Sequence, residues 1–184
     1  MAMNDNARVG EDQLLLERFC GHELFPITAV NVFLDKEDKV LNLEIHGGPS
    51  LEHTVPENEF GGHRYRPTAD IWIPLRSRSP EGLVGQTIRI DPKELESSGS
   101  ESLFCYYEYH EIRDVTVVFT QSLDGRYRVE VVALTQDPNH YDGSKPDAVI
   151  RINASFDLPE GDARISAQLA AHLDQSDERR THGT

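Results

Sequence analysis

Cysteine is scarce in this chain, with two in 184 residues, and that scarcity removes several protein classes at once. Cys20 and Cys105 form no Cys-x-x-Cys pair, which excludes a zinc ribbon and a thioredoxin-like redox motif; both read as reduced, buried thiols. Long apolar runs are missing too. No segment approaches the roughly 18 consecutive apolar residues of a membrane span, and the start, MAMNDNARVGED, has neither the basic opening nor the apolar stretch of a secretory signal. The expected compartment is therefore the cytoplasm, with no membrane partner. Basic charge is the third deficit. The pairs Arg64/Arg66 and Arg76/Arg78 are short and flanked by acids, too little to hold a phosphate backbone, so nucleic acid is not an expected partner. Gly47-Gly48 and Gly61-Gly62 lack the lysine and the strand-to-helix context of a phosphate loop, and no glycine elbow surrounds a serine or cysteine nucleophile. No cofactor-binding motif is present.

Acid is abundant. Against 18 Lys and Arg stand 32 Asp and Glu, a formal net charge of -14. Such a field keeps a protein soluble and speeds its encounter with a basic protein or a cationic ligand. The length suits one domain able to bury most of its apolar surface.

The richest β-branched and aromatic stretch, Ser102 to Asp137, carries the turn dipeptide Asp124-Gly125. A two-residue loop would place Phe119 opposite Glu130 and mix the faces of the hairpin. A three-residue loop, Leu123-Asp124-Gly125 with Gly125 left-handed, brings Phe119 to Val129, Val117 to Val131 and Val115 to Ala133, leaving Arg128 and Glu130 on the wetter face. Burial of one apolar face selects the second register, because a one-residue slip turns every side chain over. The first part of the stretch is either a separate strand ending near Arg113-Asp114 or one long strand with a bulge there.

Elsewhere alternation predicts strands at 27–35 and 39–46 across a charged turn, with Leu41, Leu43 and Ile45 inward. Further strands are expected from Asp70 with Pro74 favouring an edge, over 83–90, and over 149–158. Asp12 can cap a short helix over 13–20, a segment that also reads as an edge strand, and Asp162 can cap a second helix over 163–175. Residues 1–11 are expected to be a disordered arm, 12–175 a single β domain and 176–184 a frayed tail. About eight short strands with helices only at the ends predict a mainly β fold, an antiparallel β-sandwich or open barrel with short terminal helices.

Three groups of residues are candidates for chemistry. His46, His53 and His63 sit in or beside an irregular loop with Glu52, Glu57 and Glu59, the donor types that zinc, iron or manganese require, although their spacing matches no metal motif. Glu108, His110 and Glu111 interrupt an aromatic strand; with no serine or cysteine nucleophile motif, and Cys105 beside them read as a core thiol, they read as a solvated strand face. Asp137, Asp142 and Asp147 lie in an oxygen-rich loop that lacks the pattern of a calcium-binding hand and reads as a turn cluster. The leading expectation is a non-enzymatic interaction module that binds a basic protein through an acidic face or a sheet edge. The alternative is a metal-dependent enzyme or small-ligand binder built on His46, His53 and His63.

Overall fold

The computed structural model describes residues 9–35, 39–59, 65–75, 79–91, 93, 101–121, 125–140 and 142–158. Its strands are β1 (Gln13–Arg18), β2 (Gly21–Asp35), β3 (Val40–Gly47), β4 (Glu52–His53), β5 (Thr68–Pro74), β6 (Thr87–Arg89), β7 (Leu103–Cys105), β8 (Tyr109–Gln121), β9 (Tyr127–Thr135) and β10 (Ala148–Phe156). The expected mainly antiparallel β class is what forms. In place of two separate sheets, however, there is one 10-stranded sheet whose pairings run β1-β10-β9-β8-β7-β5-β3-β2 and return to β1. The result is ring-like without being a regular barrel: β7 joins its two neighbours through three residue pairs each, while β9 and β10 share nine.

Strand β1 overturns the helix expected over 13–20. Leu14 and Leu16 are fully buried, Leu14 facing Ile152 on one side and Phe25 on the other. So short a helix would carry the full cost of nucleation, whereas a strand paired along both edges satisfies its backbone outright. Asp12 caps no helix; its Oδ1 accepts the Ser155 N–H at 2.8 Å. The edge-strand reading of this segment also fails, because β1 has neighbours on both sides. The second expected helix, over 163–175, the tail 176–184 and residues 1–8 of the expected arm lie outside the described residues.

The organising hairpin has the register argued from burial. Phe119 faces Val129, Val117 faces Val131 and Gln121 faces Tyr127, the pairing that a three-residue loop closed by Gly125 requires. Gly125 has a φ of +88°, in the left-handed region. Farther along, the register shifts between Arg113 and Thr116, with Asp114 at a φ of +50°. Arg113-Asp114 is thus a bulge inside one long strand, and Val115 does not form the expected ladder pair with Ala133. The true break falls at 106–108, between β7 and β8. The strand expected over 83–90 shrinks to β6, preceded by a 3-10 turn at Pro80–Leu83. Pro74 lies in the part of β5 that pairs with β3 alone, since β7 covers only Thr68, Ala69 and Asp70.

Buried apolar side chains from β1, β2, β3, β5, β7, β8, β9 and β10 form one cluster, with Phe119 and Phe156 edge to face at 6.5 Å. Glycine also matters at the β1–β2 turn. A Cβ on Gly21 would lie 2.9 Å from the backbone carbon and oxygen of Thr54.

Phe119→Ala is expected to cost about 3–5 kcal/mol through lost burial and a residual cavity. The exposed Glu130→Ala should cost well under about 1 kcal/mol. Gly125→Val should destabilise although no heavy atom lies within 4 Å of the added Cβ, because the left-handed backbone itself resists a β-branched residue. Denaturant melts of the three variants check this order.

Candidate functional site

Alternation along β3 and β5 sends Leu41, Leu43, Ile45, Ala69, Ile71 and Ile73 into the core. The intervening residues must then form an outer face. Register across β2, β3, β5, β7 and β8 aligns Asn31, Glu44, Asp70, Leu103 and Glu111 in one cross-strand row, and Ala29, His46, Thr68, Cys105 and Tyr109 in the next. Glu44 and Asp70 are directly opposed carboxylates, a pairing that destabilises a sheet. Both are engaged by neighbours: the Asn31 side-chain amide donates to Glu44 Oε2 at 2.9 Å, His46 Nε2 lies 3.3 Å from Glu44 Oε1, and Asn42 donates to Asp70. Burial pushes the Asp70 carboxyl above the usual aspartate range; the Asn42 hydrogen bond opposes this, the charge of Glu44 adds to it and a hydrogen bond with Trp72 opposes it. Burial likewise raises the Cys105 thiol, partly offset by a hydrogen bond with Tyr109, so Cys105 is a protonated thiol at neutral pH.

Where β7 turns into β8, this face gains aromatic surface. Tyr109 is 73% exposed and Tyr107 52%. Tyr65, partly buried against the core, meets Tyr107 edge to face at 5.3 Å and Tyr106 at 6.0 Å. Glu108 and Glu111 are exposed beside these rings.

One end of the ring holds a buried polar assembly that local sequence patterns gave no sign of. The side chains of Arg18 and Asp137 are both fully buried; Arg18 Nη2 donates to Asp137 Oδ1 at 2.8 Å and to the Pro138 carbonyl at 2.6 Å. Burial acts to lower the Arg18 pKa, but the hydrogen bond and charge of Asp137 outweigh it and hold the guanidinium above its ordinary value. On β2, fully buried Glu23 receives two donors on Oε1, the Tyr106 hydroxyl at 2.7 Å and His53 Nδ1 at 2.9 Å. His140 Nε2 lies 2.9 Å from Glu59 Oε2, and the His140 ring packs edge to face on Phe19 at 5.1 Å. This assembly ties the β1–β2 turn, the loop before β5 and the loop before β10 to one another.

The sequence-derived candidates are dispersed by the fold. His46 lies on the outer face, 3.3 Å from Glu44 Oε1, while His53 joins Glu23 at the ring's end. Their partners on β2, Ala29 and Glu23, are six positions apart, roughly 20 Å of strand. His63 lies outside the described residues. Among the described residues, no group of three or more His, Cys, Asp or Glu side chains is placed to hold a metal ion. Glu108 and Glu111 are solvated as expected, but His110 is a correction: it faces Phe104, is half-buried, and burial lowers its pKa against the opposing charge of Glu108. Of the three loop aspartates, Asp137 pairs with Arg18, Asp142 Oδ1 accepts the Ser144 N–H and Asp147 pairs with Arg113 at 2.8 Å. A cleft of about 470 Å³ opens on the outer side of β1 and β2, but its carboxylates are already engaged, Glu17 with Arg151 and Glu52 with His22. No helix among the described residues is long and apolar enough to cross a membrane. Comparison of the chain with protein-family models, with curated proteins and with solved structures returns no match.

Arg18→Ala leaves Asp137 buried without its counter-charge and is expected to cost about 3–5 kcal/mol. The double change Arg18→Met with Asp137→Leu removes both charges and should recover most of that loss, as chemical denaturation of the set will measure. At Asp70 the native state holds its proton more tightly than the unfolded chain does. Stability is therefore lost as pH rises from the ordinary aspartate pKa of about 3.9 through the raised native value. The stability of Asp70→Asn relative to the unmodified protein should accordingly increase between pH 4 and pH 7, whatever the offset at low pH, as melts across that range will show.

Proposed function

We propose that this protein is a cytoplasmic, non-enzymatic interaction module that binds a basic protein segment on the outer face of β2, β3, β5, β7 and the start of β8. In this reading the ring is flattened into two layers, the sandwich expected from the sequence, with β2 passing from one layer to the other at its bulge and β8 between Glu111 and Ile112. The observation that carries the reading is the opposed pair Glu44 and Asp70. Two carboxylates facing each other on a half-buried sheet surface work against the fold, and a cationic side chain seated between them removes that cost. The net charge of -14 adds a long-range field of the matching sign. A closed ring leaves little free sheet edge, so the acidic face, and not strand addition, is the mode that fits.

A lysine- and arginine-containing peptide should bind at low salt and weaken as salt is raised. Non-specific attraction is separated by two charge-matched variants. Glu44→Gln with Asp70→Asn should weaken binding about tenfold or more, whereas Glu130→Gln with Asp157→Asn, on β9 and beyond β10, should change it by less than about twofold. Equal weakening by both pairs, or binding indifferent to salt, overturns the assignment to this face.

A further inference from the structure

We infer that the tyrosines at the β7–β8 turn are the specificity element of this face and select arginine side chains of the partner by stacking. The inference rests on the acidic-face reading above and names what that face recognises.

Three observations carry it. Among the described residues, Tyr107 and Tyr109 are two of the few large apolar side chains left exposed, at 52% and 73%. Exposed tyrosines of this kind are the residues most enriched at binding hot spots, since they offer a wide contact surface at low entropic cost. Second, the rings are pre-set. Tyr107 is braced edge to face on Tyr65, which packs in turn on Tyr106, and the Tyr106 hydroxyl is anchored on buried Glu23 at 2.7 Å. Tyr109 is set by its ladder position opposite Cys105. Third, carboxylates lie close by, and the β8 cation on the same side, Arg113, is already paired with Asp147. Glu108 and Glu111 flank the rings in sequence, and Asp70 lies two strands from Tyr109, roughly 10 Å across the sheet. An aromatic surface with carboxylates beside it attracts a cation twice, through the ring quadrupole and through the ion pair. A guanidinium, planar and weakly hydrated, uses both better than an ammonium. Tyr107 to Asp70 is a span that a few extended residues cover, so one arginine on the tyrosines and a second basic residue at Glu44 and Asp70 fit a single short segment.

The test uses the full chain and three peptides of equal length, carrying arginine, lysine or glutamine at the same positions, titrated by calorimetry. Arginine should bind more tightly than lysine, and glutamine should not bind. Tyr107→Ala with Tyr109→Ala should weaken the arginine peptide about tenfold and remove its advantage over lysine. Tyr107→Phe with Tyr109→Phe keeps the rings and should restore both, which separates stacking from loss of fold. Suppose instead that the alanine pair binds within twofold of the unmodified protein while Glu44→Gln with Asp70→Asn still weakens binding. The tyrosine inference then falls and the acidic-face reading stands. If neither basic peptide binds at low salt, both fall together.

Discussion

Strand β1 keeps the ring closed. It pairs with β2 along one edge and with β10 along the other, and its Leu14 and Leu16 stand fully buried between those neighbours. Without it, β2 and β10 would each present an unpaired row of backbone donors and acceptors, and the core would open between them. Closure is also entropically demanding, because the β1–β10 pairs join residues at opposite ends of the described chain. The polar assembly at the end of β1 reinforces that seam: Arg18, the last residue of β1, is locked to Asp137 and Pro138, just after β9 ends and at the start of the loop that leads to β10.

Once the ring is closed, the alternation of each strand divides its residues between a core and an outer surface, and the proposed function depends on that division. Along β3 and β5 alternation turns Leu41, Leu43, Ile45, Ala69, Ile71 and Ile73 inward, so Glu44 and Asp70 fall in the same outer row. The bulge at Asp114 has a related consequence. It bends β8 just beyond the point where its pairing changes, from β7 over Tyr109 to Glu111 to β9 from Ile112 onward, and the β7 pairing places Tyr109 on the face that holds Asp70. The acidic and aromatic parts of the surface come from segments far apart in sequence and are joined only by strand order.

The candidate histidines show where local reading stops. His46 was legible as an outward residue of an alternating strand, and it is one. His53 was legible only as a loop histidine, yet it forms the two-residue strand β4 and reaches inward to a buried glutamate. Glu23 itself carried no signal, because a carboxylate inside an apolar run reads as an interruption of the strand unless its donors are known. Tyr106 and His53, which supply them, come from two other parts of the chain. His110 failed in the opposite direction: its neighbours Glu108 and Glu111 are solvated, but pairing with Phe104 turns its own ring toward the core.

What the sequence by itself determined is what a period of two and one turn can specify. The apolar faces of β3, β5, β8, β9 and β10 follow from alternation, and the Phe119–Val129 register follows from burial acting on the loop that Gly125 closes. These are short-range consequences of side-chain geometry and backbone sterics, so no knowledge of the remaining chain was needed. The tertiary structure alone decided that residues 13–18 are a strand, since helix and strand are nearly balanced over so short a segment until β2 and β10 supply partners on both sides. It alone decided the order of strands around the ring, and with it the meeting of Arg18 with Asp137, of Glu23 with His53 and Tyr106, and of Asp70 with Glu44. Such pairings depend on the global packing of one apolar core, and no local pattern encodes which distant strand will come to lie alongside.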